Sequence, residues 1–226
     1  MKNDRTLCDF FDHLSDNLAG KTFVLDVVDL SNNNLTKEGL AYFCGWITGE
    51  SQSPSQGKII PWRVIKLYRN NDLADEAGDH LAQMLQKCEK MQIPKGIWPR
   101  AAFEVHCSHC SMTDVGIRSI CDAVKPNSTL VKDAPLWLRC EYNVINTFEL
   151  MELEEYGKIN MADKLEIANW KEKSAEQALI YLPHAESQRE DASDLVADDA
   201  WEAWYREWGD QETATPPQPQ EAPATG

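Results

Sequence analysis

The stretch VVDLSNNNLTKEGL, residues 27–40, decides the fold because its pattern recurs three more times along the chain. Two apolar residues flank one other residue, and an asparagine, an apolar residue and a small residue follow at fixed distances. The later copies are IKLYRNNDLADEAG (65–78), VHCSHCSMTDVG (105–116) and LRCEYNVI (138–145). All four copies align on one apolar position, which is filled in chain order by Leu35, Leu73, Met112 and Ile145. The sequence therefore predicts four similar structural units.

Each unit begins with two apolar residues separated by one other residue, which predicts a short strand with one buried face. The pairs are Val28/Leu30, Ile65/Leu67, Val105/Cys107 and Leu138/Cys140. The second pair lies one residue further upstream than the others, so the second unit needs a one-residue bulge. After each strand comes a residue whose side chain can bond backbone groups that a turn leaves unpaired. In chain order these residues are Asn33, Asn71, Cys110 and Asn143.

The rest of each unit consists of a small residue and then apolar residues at helical spacing. The small residue is Gly39, Ala77 and Gly116 in the first three units, whereas Glu149 stands there in the fourth. Apolar residues then recur at spacings of three, four and seven, which marks an amphipathic helix. The pattern thus predicts strand–turn–helix units, with the helix of the fourth unit the weakest.

Residues 24–154 resemble the ribonuclease-inhibitor-like class of leucine-rich repeats, on the four quoted segments. The resemblance implies an α/β solenoid, with parallel strands on a concave face and helices on a convex face. It also implies a protein that binds another macromolecule and is not an enzyme. The repeat intervals exceed the usual 20–29 residues. A conventional α/β domain with a parallel sheet remains the alternative, because it too alternates strands and helices.

A repeat array exposes apolar surface at both ends and needs caps. Residues 1–23 are predicted to contain an N-terminal capping helix, and residues 155–183 a C-terminal one. Residues 184–210 are predicted to form an acidic, tryptophan-rich helix. Residues 211–226 are rich in Pro, Ala, Thr and Gln, and we expect them to be disordered.

The side chains between the buried strand residues are expected to line the concave face in columns, because parallel strands are in register. One column is Asp29, Lys66, His106 and Arg139, and the next is Ser31, Tyr68, Ser108 and Glu141. A third column is Val27, Val64, Glu104 and Trp137. Charged, hydroxyl and aromatic groups in this mixture suit a protein partner. A solvated face without a ligand is the alternative.

The acidic helix offers a second predicted contact surface. Its aromatic residues lie close to one helical face and are of the type that enters a partner's groove. They are Trp201, Trp204, Tyr205 and Trp208. The alternative is that they fold back on the protein's own repeats, since exposed tryptophans promote aggregation.

Charge is unevenly distributed over a chain whose net charge is −15. Residues 1–146 carry 18 acidic and 16 basic side chains, whereas residues 147–226 carry 19 and 6. An acidic segment repels nucleic acid and acidic membranes. It favours a basic protein partner or serves solubility alone.

Catalytic and cofactor motifs are missing from the sequence: it contains no GxxxxGK[ST], GxGxxG, GxSxG or HExxH. The run His106-Cys107-Ser108-His109-Cys110 has zinc-ligand residue types, but neighbours on a strand point to opposite faces. We therefore expect no metal, no cofactor and no enzyme activity. Seven cysteines, an odd number, favour a reducing compartment, and the sequence has no 18-residue apolar run that could cross a membrane. We therefore expect the protein in the cytoplasm or nucleus.

The sequence predicts a scaffold or adaptor that binds a protein through its concave face and its acidic helix. One alternative is a structural subunit of a large assembly, held by its terminal extensions. A weaker alternative is an RNA-processing accessory module, because the concave columns contain a few basic and stacking groups. Partner identity and oligomeric state are left open by the sequence.

Overall fold

The structure, a computed structural model, describes residues 4–18, 21, 23–50, 59–98, 102–161 and 178–182. They belong to the first of two compact units, residues 1–189, and form an α/β fold. The predicted acidic helix (184–210), with Trp201, Trp204, Tyr205 and Trp208, lies outside the described residues. The predicted disordered tail (211–226) lies outside them as well.

In the described part of the chain, six strands form one sheet in which every pairing is parallel. The strands are β1 (Leu25–Asp29), β2 (Trp62–Lys66), β3 (Glu104–His106), β4 (Leu136–Arg139), β5 (Ile159–Asn160) and β6 (Ile180–Tyr181). Their order in the sheet is β1-β2-β3-β4-β6-β5. The four predicted strands are therefore adjacent and follow chain order, while the last two were not predicted.

The described residues contain five α-helices. These are α1 (Asp4–Leu18), α2 (Lys37–Thr48), α3 (Ala74–Lys87), α4 (Asp114–Ala123) and α5 (Met151–Glu155). The same residues include three short 3₁₀ turns, at Cys88–Lys90, Thr129–Val131 and Thr147–Leu150. Thr36 and Thr113 begin α2 and α4 by accepting hydrogen bonds from the backbone nitrogens two residues on. The fourth unit has only a 3₁₀ turn and the five-residue α5, in agreement with its weak helical pattern.

The main core lies between the helices and one face of the sheet. The paired strand residues contact apolar side chains of α2, α3 and α4, among them Phe43, Leu81 and Ile120. The N-terminal helix α1 extends this layer, because Phe11 packs on Trp46 with ring centroids 4.4 Å apart. Trp46 also donates its indole N–H to the Ser15 hydroxyl of α1, at 2.7 Å. The predicted N-terminal helix is thus present and covers the first unit.

Asn70, and not Asn71, occupies the asparagine position of the second unit, which corrects the alignment made from sequence. Asn70 is fully buried, whereas Asn71 is exposed. The Asn70 amide joins the first two units through four hydrogen bonds to their backbones. Its partners are the nitrogens of Asn33 and Leu35, at 3.1 and 3.0 Å, and the carbonyl oxygens of Leu30 and Leu67, at 3.0 and 2.7 Å.

Asn143 makes the same four bonds between the third and fourth units. Its partners are the nitrogens of Cys110 and Met112, at 3.0 and 3.1 Å, and the carbonyl oxygens of Cys107 and Cys140, at 2.8 and 2.9 Å. In the third unit the thiol of Cys110 donates to the Leu67 carbonyl at 3.2 Å. The extra residue of the second unit therefore lies between Asn70 and Leu73, just before Ala74 with its positive φ of 50°.

Small residues allow the helices to approach closely. A Cβ on Gly78 of α3 would lie 2.3 Å from the Gly116 carbonyl oxygen of α4. Asp75 also crosses between these helices, since its Oδ1 accepts from the backbone nitrogens of Thr113, at 2.7 Å, and Gly116, at 3.1 Å. Asp4 of α1 binds the Thr36 nitrogen of the next unit in the same way, at 3.1 Å. Adjacent units are thus joined at the helix starts.

The predicted C-terminal capping helix over residues 155–183 is wrong at both ends. Residues 159–160 and 180–181 form β5 and β6, and β6 pairs with β4. The sheet therefore continues beyond β4 with β6 and β5. These strands lie next to β4, where a helix was expected. Residues 162–177 lie outside the described residues.

No helix in the described part of the chain has the length and apolar character that crossing a membrane requires.

Candidate functional site

The sheet face opposite the main core, here called the polar face, carries the three columns predicted from sequence. The register pairs Asp29 with Lys66, Lys66 with His106 and His106 with Arg139. The column through Glu104 is continuous in the same way, and it extends from Trp137 to Tyr181 of β6 and then to Asn160 of β5. Its members are Val27, Val64, Glu104, Trp137, Tyr181 and Asn160.

The column of Ser31, Tyr68, Ser108 and Glu141 lies just beyond the strand ends. Backbone nitrogens donate to the carbonyls of Tyr68, Ser108 and Glu141 from the neighbouring units, at 3.0 to 3.1 Å. Ser31 lies at the start of this column, where its nitrogen donates to the Asp29 carboxylate at 3.0 Å. The structure therefore brings all three columns together on one face.

The two halves of the polar face differ in accessibility. On the β1–β2 side, Val27 is 46% exposed and Asp29 is exposed, Lys66 and Tyr68 are half-buried, and Val64 is buried. On the β3–β4 side the column residues are almost completely buried, at 3–6% exposure, except Arg139, which is half-buried. The buried ones are Glu104, His106, Ser108, Trp137 and Glu141.

This burial corrects the prediction that His106, Ser108, Trp137 and Glu141 offer their side chains to a partner. Ser108 and Glu141, which are neighbours in one column, bond each other, whereas His106 bonds Glu104 of its own strand. Trp137 instead lies beside Tyr181, with ring centroids 6.3 Å apart. The sequence pattern shows to which face a side chain points but does not show whether that face is covered.

The buried half contains a network of ionisable groups. Arg139 donates from Nε to Glu141 Oε1 at 2.8 Å, and Ser108 donates its hydroxyl to the other oxygen of Glu141. Along β3, His106 Nε2 lies 3.1 Å from Glu104 Oε2. Arg63 lies 3.9 Å from Glu104 and 2.6 Å from Asp26. Because buried charges are costly unless they are paired and hydrogen-bonded, these contacts hold the β3–β4 half in one arrangement.

Burial and partners act in opposite directions on Glu141. Burial disfavours its charged form, but the Arg139 charge and the Ser108 hydrogen bond outweigh burial, so the pKa of Glu141 is lowered. A lowered pKa favours the ionised carboxylate, which accepts the hydrogen bonds of Ser108 and Arg139.

Burial is also the main reason why the pKa of His106 is lowered, and the Arg139 charge adds to it. The hydrogen bond to Glu104 opposes this shift without reversing it. His106 is thus neutral at neutral pH.

The His106–Cys110 run does not converge on one point. His106 bonds Glu104 on the polar face, whereas Cys107 is buried in the main core and donates its thiol to the Arg139 carbonyl at 3.2 Å. Burial raises the pKa of the Cys110 thiol to about 12, which keeps it protonated. His109 stacks on Tyr142 with ring centroids 4.4 Å apart. Each side chain of the run therefore has a separate environment.

Sequence reasoning missed the pairing of Glu104 with His106 and the role of Asn70. Both had a signal in the sequence. Residues two apart on a strand share a face, which places Glu104 beside His106. Asn70 follows Leu67 by three residues, as Asn33 follows Leu30, so counting from the strand would have identified it.

The chain matches no protein-family model, and no curated protein is significantly similar to it.

Proposed function

We propose that this protein is a non-enzymatic leucine-rich-repeat scaffold or adaptor that binds a protein partner through its polar face. The observation that carries the proposal is the continuous register of polar and aromatic side chains across β1–β4. In a repeat array such columns form the surface on which a partner binds. The acidic, tryptophan-rich segment 184–210 supplies a second contact with a partner.

Three features support the repeat class over a conventional α/β domain. The strands β1 to β4 follow chain order, and α1 to α4 pack side by side on the same face of the sheet. Asn70 and Asn143 each make three hydrogen bonds to the backbone of the preceding unit and one to the backbone of their own unit, in the same arrangement. Periodic contacts between neighbouring units are what a solenoid requires, since each unit cannot bury its apolar face alone.

The β1–β2 half of the polar face is the part that we assign to the partner. It combines the exposed Val27 and Asp29 with the half-buried Lys66 and Tyr68, a mixture typical of protein interfaces. Tyrosine is also enriched among the residues that dominate binding energy. The buried ion pairs of the β3–β4 half provide a rigid support beside this surface, which lowers the entropy cost of binding.

A charge-swapped variant tests the polar face. Asp29→Lys combined with Lys66→Glu keeps the net charge but exchanges the signs on the two strands. The matched control is Lys37→Glu with Glu76→Lys, which swaps an exposed ion pair of 2.9 Å on α2 and α3. We expect affinity purification from cells to lose at least one partner with the first variant and none with the control. An unchanged partner list, with circular dichroism showing an intact fold, would contradict the proposal.

The acidic segment is tested separately by Trp201→Ala with Trp204→Ala and Trp208→Ala. We expect a second subset of partners to be lost, or the first to bind with changed affinity. If neither happens, the segment has no part in binding. If deletion of 184–226 disrupts a large assembly that the charge swap on β1 and β2 leaves intact, the structural-subunit alternative is favoured.

A further inference from the structure

A second surface, outside the polar face, carries exposed apolar side chains. Val115 is 62% exposed, Val144 59%, Phe148 78% and Met151 44%. These four residues, here called the apolar rim, belong to the third and fourth units. Single exposed apolar residues are normal on protein surfaces, but contiguous ones mark binding sites.

Repeat geometry makes the apolar rim contiguous. Val115 and Phe148 have equivalent positions in consecutive units, each two residues after the residue that caps its turn. Thr113 and Asn146 are these caps, and each accepts a hydrogen bond from the backbone nitrogen of the exposed residue, at 3.2 Å in both cases. Corresponding positions of stacked units are neighbours. Val115 and Phe148 therefore lie side by side.

Direct bonds between the two units fix the other rim residues. The backbone nitrogen of Val144 donates to the Met112 carbonyl at 2.9 Å, and Val144 forms a parallel bridge with Thr113. The Asn146 nitrogen lies 3.3 Å from the Asp114 carboxylate. Met151 comes three residues after Phe148, so both project from the same side, while the intervening Leu150 is buried in the core.

At the positions equivalent to Val115 and Phe148, the first two units carry charged residues. Glu38, two residues after the cap Thr36, is exposed, and Lys37 bonds Glu76 of the second unit. Charged residues in the first two units and Val115 and Phe148 in the last two all point into solvent at these positions. The fold therefore does not require apolar residues there. Exposed apolar surface at this position is therefore a feature that a bound partner would explain.

Acidic side chains lie next to the apolar rim in the sequence of the fourth unit. Four glutamates of the fourth unit are exposed: Glu149, Glu152, Glu154 and Glu155. Arg118 bonds Glu152 at 2.9 Å, and Lys158 bonds Asp122 at 2.9 Å, so these two basic residues are already engaged in ion pairs. The surface thus presents an apolar centre with a negative border.

We propose that the apolar rim binds a basic, amphipathic helical segment of another protein, with its apolar side chains on Val115, Val144 and Phe148. Lysine or arginine residues at its sides would face the surrounding glutamates, which is the complementarity that guides such binding. A second copy of this chain fits poorly, because it would bring a like-charged border and a net charge of −15. The proposal is independent of the polar face.

A defined probe tests the apolar rim on the full-length chain. The probe is a fluorescein-labelled 18-residue helix of leucine and lysine, with leucines at positions i, i+3, i+4 and i+7, and its binding is followed by fluorescence anisotropy. We expect saturable binding that weakens about tenfold or more in Val115→Ser with Phe148→Ser. The matched control, Phe10→Ser with Ile97→Ser, removes two exposed apolar side chains elsewhere and should bind within about twofold of wild type.

Charge is tested with Glu149→Lys combined with Glu155→Lys, which should weaken probe binding by a similar factor. Equal binding by the rim and control variants, binding that does not saturate, or no effect of the lysine substitutions would overturn the proposal. Sedimentation provides a further check. A concentration-dependent dimer that disappears in Val115→Ser with Phe148→Ser would assign the rim to a second copy and also overturn it.

Discussion

The first two units and the last two use one backbone pattern but distribute their charges differently. In the first half, exposed ionic residues lie both on the polar face and at the helix starts, as Asp29 and the Lys37–Glu76 pair show. In the second half the ionic groups are buried on the polar face, while Val115 and Phe148 are exposed at the helix starts. The shared backbone pattern therefore determines where side chains are placed, and the two halves carry different residue types at equivalent positions.

The largest expected effect on stability concerns the buried asparagine that each half contains, Asn70 or Asn143. Asn70→Ala and Asn143→Ala each remove four hydrogen bonds and leave buried backbone groups without partners, at roughly 1–3 kcal/mol per group but not additively. We expect each to lower the free energy of unfolding by about 3 kcal/mol or more, measured by urea denaturation. Asn71→Ala is the control and should change stability by less than about 0.5 kcal/mol, since Asn71 is exposed. If Asn71→Ala destabilised the protein more than Asn70→Ala, then Asn71 and not Asn70 would occupy the asparagine position of the second unit.

The second prediction separates the halves. Arg139→Met leaves the buried Glu141 carboxylate without its bonded guanidinium, so we expect a loss of about 2 kcal/mol in the free energy of unfolding at pH 7. Lys37→Met breaks an exposed pair and should cost less than about 0.5 kcal/mol. Adding Glu141→Gln to Arg139→Met should recover part of the loss, because no uncompensated charge remains. Equal effects of the two single substitutions would mean that the buried network does not distinguish the halves.

The third prediction concerns pH. Because the folded-state pKa of His106 is lowered by burial, the unfolded chain binds a proton at a higher pH than the folded chain. His106 therefore makes stability decrease as the pH falls below about 6.5, by at most about 1.4 kcal/mol per pH unit. His106→Gln should remove this component between pH 6.5 and 5, measured as the difference between the two denaturation series. If the stabilities of the wild type and of His106→Gln changed equally with pH, protonation of His106 would not affect the free energy of unfolding.

The smallest expected effect concerns the exposed rim. Phe148→Ser should change the free energy of unfolding by less than about 0.5 kcal/mol, because its side chain is already in solvent. Phe43→Ser, on the buried side of α2, should cost about 4 kcal/mol or prevent folding. Thermal denaturation of the two variants compares them directly. A strongly destabilised Phe148 variant would show that Phe148 serves the fold and not a partner.

Much of the fold could be predicted from the sequence because its signals are local. The pair Val28/Leu30 and its three counterparts identified the central strands, and the helical spacing identified α1 to α4. The columns of the polar face followed, since alternation along a strand and the parallel register are general properties of sheets. The apolar rim, by contrast, had no sequence signal, because a valine and a phenylalanine after a cap are equally compatible with burial.

What the sequence determined by itself is the repeated spacing, and with it the strands, the helices and the direction of each side chain. The tertiary structure decided which backbone groups Asn70 bonds, that β5 and β6 extend the sheet, and that His106 and Glu141 are buried. Spacing is set by the geometry of one unit, whereas burial and hydrogen-bond partners depend on residues that are distant in the chain. Asn70 illustrates this, because its partners Asn33 and Leu35 lie 37 and 35 residues away.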